Sequence, residues 1–154
     1  MAIYHHFADR KTLLTRITEQ EFARLLECIQ SHPLKGSAAD RVVTVMEGYL
    51  DYALERPRLF DYVFVQTRPG ARRFPTDFRA RRSPTLNVVA DVVSDAMQDG
   101  FLRKDDMWEV AFALWAHVHG YVVMYRAGRF EGSEKQFRAL VRRSMRRFLR
   151  GLAA

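Results

Sequence analysis

The chain reads as an all-α protein, and three observations say so. Apolar residues recur at helical spacing in one segment after another. No segment alternates apolar and polar residues with the period of a strand. The stretches between carry the capping residues, prolines and glycines that start and stop helices. At 154 residues and 48% hydrophobic content, the chain is long enough to close one domain around a true core.

Taken in order, Asp9 is a good N-cap, and the first long helix should run from about Asp9 to Gln30, stopped by His32-Pro33 and Gly36. Ser37 caps a second helix, in which Val42, Val45, Met46, Tyr49 and Ala53 keep a helical period up to Arg56-Pro57. Pro57 can open a short third helix carrying Leu59, Phe60, Val63 and Phe64. From Gln66 to Arg82 two prolines, a glycine and six arginines break the pattern, predicting a long basic loop or a loop with one helical turn. Ser83-Pro84 then supplies an N-cap followed by proline at the first helical position. That helix sets Leu86, Val89, Val93 and Met97 on one face and ends at Gly100. Asp105 or Asp106 starts the next, which continues to about Ala127. Ser133-x-x-Gln136 forms a capping box for the last helix, to about Leu152.

The helix through Trp115 is the most informative. Trp108, Phe112, Trp115, His119 and Val122 make one stripe, and Val110, Leu114, Val118, Tyr121 and Tyr125 make another. A helix apolar nearly all round is buried on both sides, here by its own chain and by a partner. The last helix adds Phe137, Leu140, Val141, Ser144, Phe148 and Leu152, backed by arginines. Two such helices in succession predict a homodimer whose face, built on Tyr121, Tyr125, Phe137, Val141 and Phe148, pairs into a four-helix bundle.

The net charge of +7 is concentrated in Gln66–Arg82 and in the last helix, where six arginines stand between Arg138 and Arg150. Such clusters suit an anionic partner, nucleic acid included, though a solvated arginine face explains them as simply. The last helix could also lie on a membrane surface as a basic amphipathic segment. No apolar run is long enough to span a bilayer, and the N-terminus lacks a signal-peptide core. The single cysteine, Cys28, stands among Leu25, Leu26 and Ile29 as a buried thiol, which fits a cytoplasmic protein.

Enzyme motifs are missing: the chain has no Gly-rich phosphate loop, no His-Glu-x-x-His pair and no Gly-x-Ser-x-Gly turn. The acids read as solvated or capping. His117 and His119, two residues apart, face different directions on a helix and make a poor metal pair. Neither a metal nor a cofactor is expected.

Two motifs carry a family resemblance. Tyr4-His5-His6-Phe7, followed by a short polar turn, Lys11 and Leu13-Leu14, resembles the end of the DNA-binding domain of tetracycline-repressor (TetR) family regulators. There the recognition helix runs out through Tyr-x-His-Phe. Trp115-x-x-x-His119-Gly120 is similar to the Trp-His-Gly motif of one class of TetR C-terminal domains. The resemblance implies an all-α ligand-binding and dimerisation bundle over 9–154, with 1–8 as a remnant of the helix-turn-helix domain. It implies a ligand-responsive regulator, a repressor, with Tyr4, His6 and Lys11 as the remnant of the DNA contact. The first two helices and most of the recognition helix of the family do not stand before the motif, so operator DNA is an expected partner only where those helices are present. Without them the chain should act as a dimerisation module or ligand sink. A small hydrophobic or aromatic effector should enter between the helices, with Tyr49, Phe60, Phe64, Val93, Trp115 and His119 as pocket candidates, and shift the first long helix.

Overall fold

The computed structural model describes residues 9–154. Over them the chain forms α1 (Arg10–Gln30), α2 (Ala38–Glu55), α3 (Pro57–Phe60), α4 (Thr76–Arg79), α5 (Pro84–Gln98), α6 (Met107–Arg126) and α7 (Glu134–Gly151). A π-helical turn, Asp61–Val65, prolongs α3. No β-strand occurs among the described residues beyond an isolated bridge between Leu102 and Ala153. The basic stretch is a loop holding the single turn α4.

The caps form as the sequence predicts. Asp9 accepts from the Thr12 amide at 2.7 Å, and Asp106, of the two candidate aspartates, accepts from the Trp108 and Glu109 amides. Reciprocal capping boxes close at Ser37–Asp40 and Ser133–Gln136. Gly100 takes a φ of +72° just past α5 and Gly128 a φ of +69° just past α6, the left-handed turn that glycine makes without strain.

α2 is the central post. It packs on α1, α5, α6 and α7, and Val42, Val45, Tyr52 and Ala53 have no exposed surface. Against α1 the approach is closest at Gly48, where a Cβ would meet Ile29 Cα at 2.5 Å. A buried polar network secures the same pair. Glu21, 5% exposed, accepts from the Tyr52 hydroxyl and from the Arg56 guanidinium, each at 2.9 Å. Glu21 therefore departs from the solvated role expected of the acids. It is buried, and a buried carboxylate needs partners of this kind.

The arginine row of α7 has a similar explanation. Arg138 pairs with Asp51, Arg142 with Glu47, and Arg146 with Asp40. The three acids lie along α2, so an antiparallel register sets carboxylate against guanidinium down the whole contact. Asp40 is pulled down to about 2, first by the Ser37 hydroxyl and then by Arg146. These pairs are half-exposed, and each contributes little alone. Together they fix which face of α7 meets α2.

Candidate functional site

An apolar cavity of about 150 Å³ lies where α1, α2, the π turn, the basic loop, α5 and α6 meet. Its walls are Phe22, Leu25 and Ile29 from α1, Met46 and Tyr49 from α2, Val63 and Phe64, Phe78 from α4, Leu86 and Val89 from α5, and Trp115 from α6. Polar atoms come from Gln66, Arg68, Arg72, Ser83 and Thr85. The helical periods place these side chains: Tyr49 follows Val45 and Met46 on the buried stripe of α2, and Trp115 follows Trp108 and Phe112 on α6.

Edge-to-face aromatic contacts join the wall into one network. Phe64 meets Phe22 at 5.4 Å between centroids, Tyr49 at 5.9 Å and Trp115 at 6.2 Å. Such pairs are offset as ring quadrupoles prefer. Behind this layer, Phe60 lies 5.4 Å from the His119 ring, and His119 Nδ1 is 2.8 Å from the Tyr49 hydroxyl. Burial holds the Tyr49 phenol protonated and depresses the imidazole of His119.

Of the six pocket candidates, Tyr49, Phe64 and Trp115 line the cavity. Phe60 and His119 support it from the second layer, and Val93 is a core residue with no exposed surface and no place on the wall. His119 is thus a structural histidine bonded across the core. His117 points the other way, to Ser144 Oγ at 3.0 Å, as its spacing requires. Among the described residues no three His, Cys, Asp or Glu side chains gather as a metal site would need. Cys28 is buried, and that burial raises its thiol.

The roof of the cavity was not evident from the sequence. Phe22 sits on a helix of low apolar contrast, and Arg68 and Arg72 stood within a charge cluster. In the structure the Arg72 and Arg68 guanidiniums lie 4.6 and 5.6 Å from the centroid of the Phe22 ring, a cation–π contact that ties the loop to α1. The loop is a lid over the aromatic wall. Outside it a groove of about 1070 Å³ runs along α1 past Lys11, Leu14 and Thr18. A cleft of about 610 Å³ between α1, α2 and α7 is open and lined by polar groups that already have partners, such as His32 hydrogen-bonded to Asp51 and Arg24 paired with Glu55.

The residues expected at a dimer face divide. Phe137 and Val141, 1% and 0% exposed, are covered by their own chain, with Phe137 stacked on Tyr125 at 4.2 Å. They turn inward because that stripe of α7 is the one that meets α2 and α6. Tyr121, Tyr125 and Phe148 are half-buried. The outer face of α6 presents Ala116, Gly120, Val123 and Met124, the last 50% exposed. A Cβ on Gly120 would meet nothing within 4 Å among the described residues. Of the DNA-contact remnant, Lys11 is exposed in the first turn of α1, and Tyr4 and His6 lie outside the described residues.

A family model described as "Tetracyclin repressor-like, C-terminal domain" matches residues 42–148. That span is most of the chain, and the chain belongs to this family of regulator domains rather than to a family of enzymes. Among solved structures, one described as a protein with unknown function from Rhodococcus sp. RHA1 is similar in fold. It matches with a TM-score of 0.82 and 23% identity over 97% of this chain and 76% of its own. No curated protein matches the sequence. No helix among the described residues is long and apolar enough to cross a membrane.

Proposed function

We propose that this chain is the effector-binding and dimerisation part of a ligand-responsive transcriptional regulator of the tetracyclin-repressor type, acting in the cytoplasm as a repressor. The observation that carries the reading is the aromatic cavity shared by α1, α2 and α6. It has the composition of a small-molecule site, a mainly apolar wall with a few polar anchors. A small aromatic or hydrophobic effector seated there touches Phe22 and Ile29, and so bears on the pose of α1. A ligand that prefers one pose of α1 shifts the population of poses, and in a dimer that shift alters the separation of whatever the two α1 helices carry. Operator contact belongs to the Tyr4–Phe7 end, together with the recognition helices that precede it in the family.

The dimer seam in this reading is the outer face of α6, Ala116, Gly120, Val123 and Met124, beside Leu140 and Phe148 of α7. Small residues there allow two α6 helices to approach closely. Two variants test the two halves separately. Val89→Phe, which fills the cavity, should abolish quenching of tryptophan fluorescence by small aromatic compounds and leave a dimer by light scattering. Phe148→Glu should leave quenching and give monomers, because a buried unpaired charge in a seam is costly. Quenching that survives Val89→Phe would remove the cavity from the account, and a dimer unchanged by Phe148→Glu would remove the seam.

A further inference from the structure

Resting on that reading of the cavity, we propose that the effector is an organic anion, a compact apolar body of about one ring bearing a carboxylate that Arg68 and Arg72 receive. The size follows from the cavity: about 150 Å³ is the space that holds a benzene-sized molecule. The apolar body follows from Phe64 and Trp115 on the wall. The charge follows from the lid. Three arginines of the same basic stretch close on acids, Arg79 on Asp106, Arg81 on Asp91 and Arg82 on Asp77. Arg73 is exposed and off the cavity wall. Arg68 and Arg72, the two at the cavity, have no carboxylate within 4.0 Å among the described residues, and residues 1–8 contain no Asp or Glu. Arg68 spends one N–H on the Val63 carbonyl at 3.1 Å.

The pair is therefore two half-buried like charges over an apolar space, with donors to spare. Burial, and then the neighbouring charge of Arg68, lower the pKa of Arg72, and Asp77, beyond ion-pair distance and engaged by Arg82, offsets only part of this. An anion between them relieves that repulsion and offers the planar two-oxygen geometry a guanidinium fork matches best. The arrangement also supplies the coupling. Both guanidiniums rest on Phe22 of α1, so a carboxylate that draws them inward changes what holds that ring. A neutral ligand of the same shape would touch Phe22 from inside the cavity but would not draw on the guanidiniums above the ring.

The test titrates the full chain at neutral pH with benzoate, with its neutral isostere benzamide and with acetate, by calorimetry. Benzoate should bind about tenfold or more tighter than benzamide, the ratio expected of hydrogen bonds to a charged group. Acetate, a head without a body, should bind far more weakly than benzoate. Arg72→Gln should bring benzoate to within about twofold of benzamide, both measured on that variant. Arg143→Gln, on the far face of α7, should change neither. The parent comparison of benzoate with benzamide stands even where a variant fails to fold. Equal binding of the two ring compounds overturns the anionic head and leaves the cavity as an effector site. A preference for benzoate that persists when Arg68 and Arg72 are both glutamine assigns the charge recognition elsewhere and also overturns it. Binding of neither ring compound sinks the cavity itself.

Discussion

Gly48 is where α1 and α2 nearly touch, and Gly48→Ala should destabilise the fold although alanine is the better helix former. In an exposed helix the change would gain about 1 kcal/mol. Here the added Cβ would stand 2.5 Å from Ile29 Cα, 2.8 Å from the Cys28 carbonyl oxygen and 2.9 Å from the Ile29 nitrogen. All three are backbone atoms and cannot swing aside, so the two helices must part by about 1 Å to restore ordinary contact. Overpacking costs about 1–3 kcal/mol, and a backbone obstacle belongs at the upper end. The net loss is then about 2 kcal/mol, or roughly 4–8 °C in Tm for a chain of this size. Thermal and urea unfolding followed by circular dichroism give the value directly. Gly120→Ala is the control: with open space around its Cβ it should gain up to about 1 kcal/mol of helix stability in a monomeric background such as Phe148→Glu. A Gly48→Ala protein as stable as the parent would refute the close approach and the packing of α1 argued from it.

Three further outcomes follow. Trp115→Ala should cost about 1–3 kcal/mol, less than the 3–5 kcal/mol of a fully packed indole, because one face of Trp115 borders a cavity. Chemical denaturation checks it, and a loss above that range would mean that the wall is filled. His117 and His119 are held below the ordinary histidine value by burial, so the unfolded chain takes up protons that the folded one refuses. Stability should be full above about pH 6.5 and fall as pH drops below it. His119→Gln should flatten part of that slope in denaturation curves taken across the range, and an unaltered slope would show that His119 does not contribute. Binding of DNA by the α7 arginines should be weak, blind to sequence and lost with salt, since Arg138, Arg142 and Arg146 are already engaged by α2. A salt-resistant preference between two unrelated duplexes would contradict this.

What the sequence disclosed is what local chemistry controls. The helix limits follow from Asp9, Ser37, Ser83-Pro84, Gly100 and the Ser133–Gln136 box, each of which acts within one turn. The aromatic wall was half legible, because Tyr49, Phe64 and Trp115 announce themselves by period and type. Its other half depends on which helices become neighbours. Phe22 and the lid arginines meet only when the 66–82 segment folds back over α1, and nothing near them in the chain encodes that return. The same holds for Phe137 and Val141: an apolar stripe must be covered, but the stripe does not say by whom. The α7 arginines find their acids through the antiparallel register with α2, a property of two segments and of neither alone. Gly48 carries no mark in the sequence that separates it from any other glycine in a helix.

Occupation of the cavity should be felt by α1. Hydrogen exchange read by mass spectrometry, with and without saturating benzoate, tests it most directly. Peptides covering Phe22–Ile29 of α1 and the 66–82 lid should change their exchange on binding, while those of α7 should not. Binding that leaves α1 at its unliganded rate would mean that the cavity holds a ligand without transmitting anything, and the regulatory reading would fall with it.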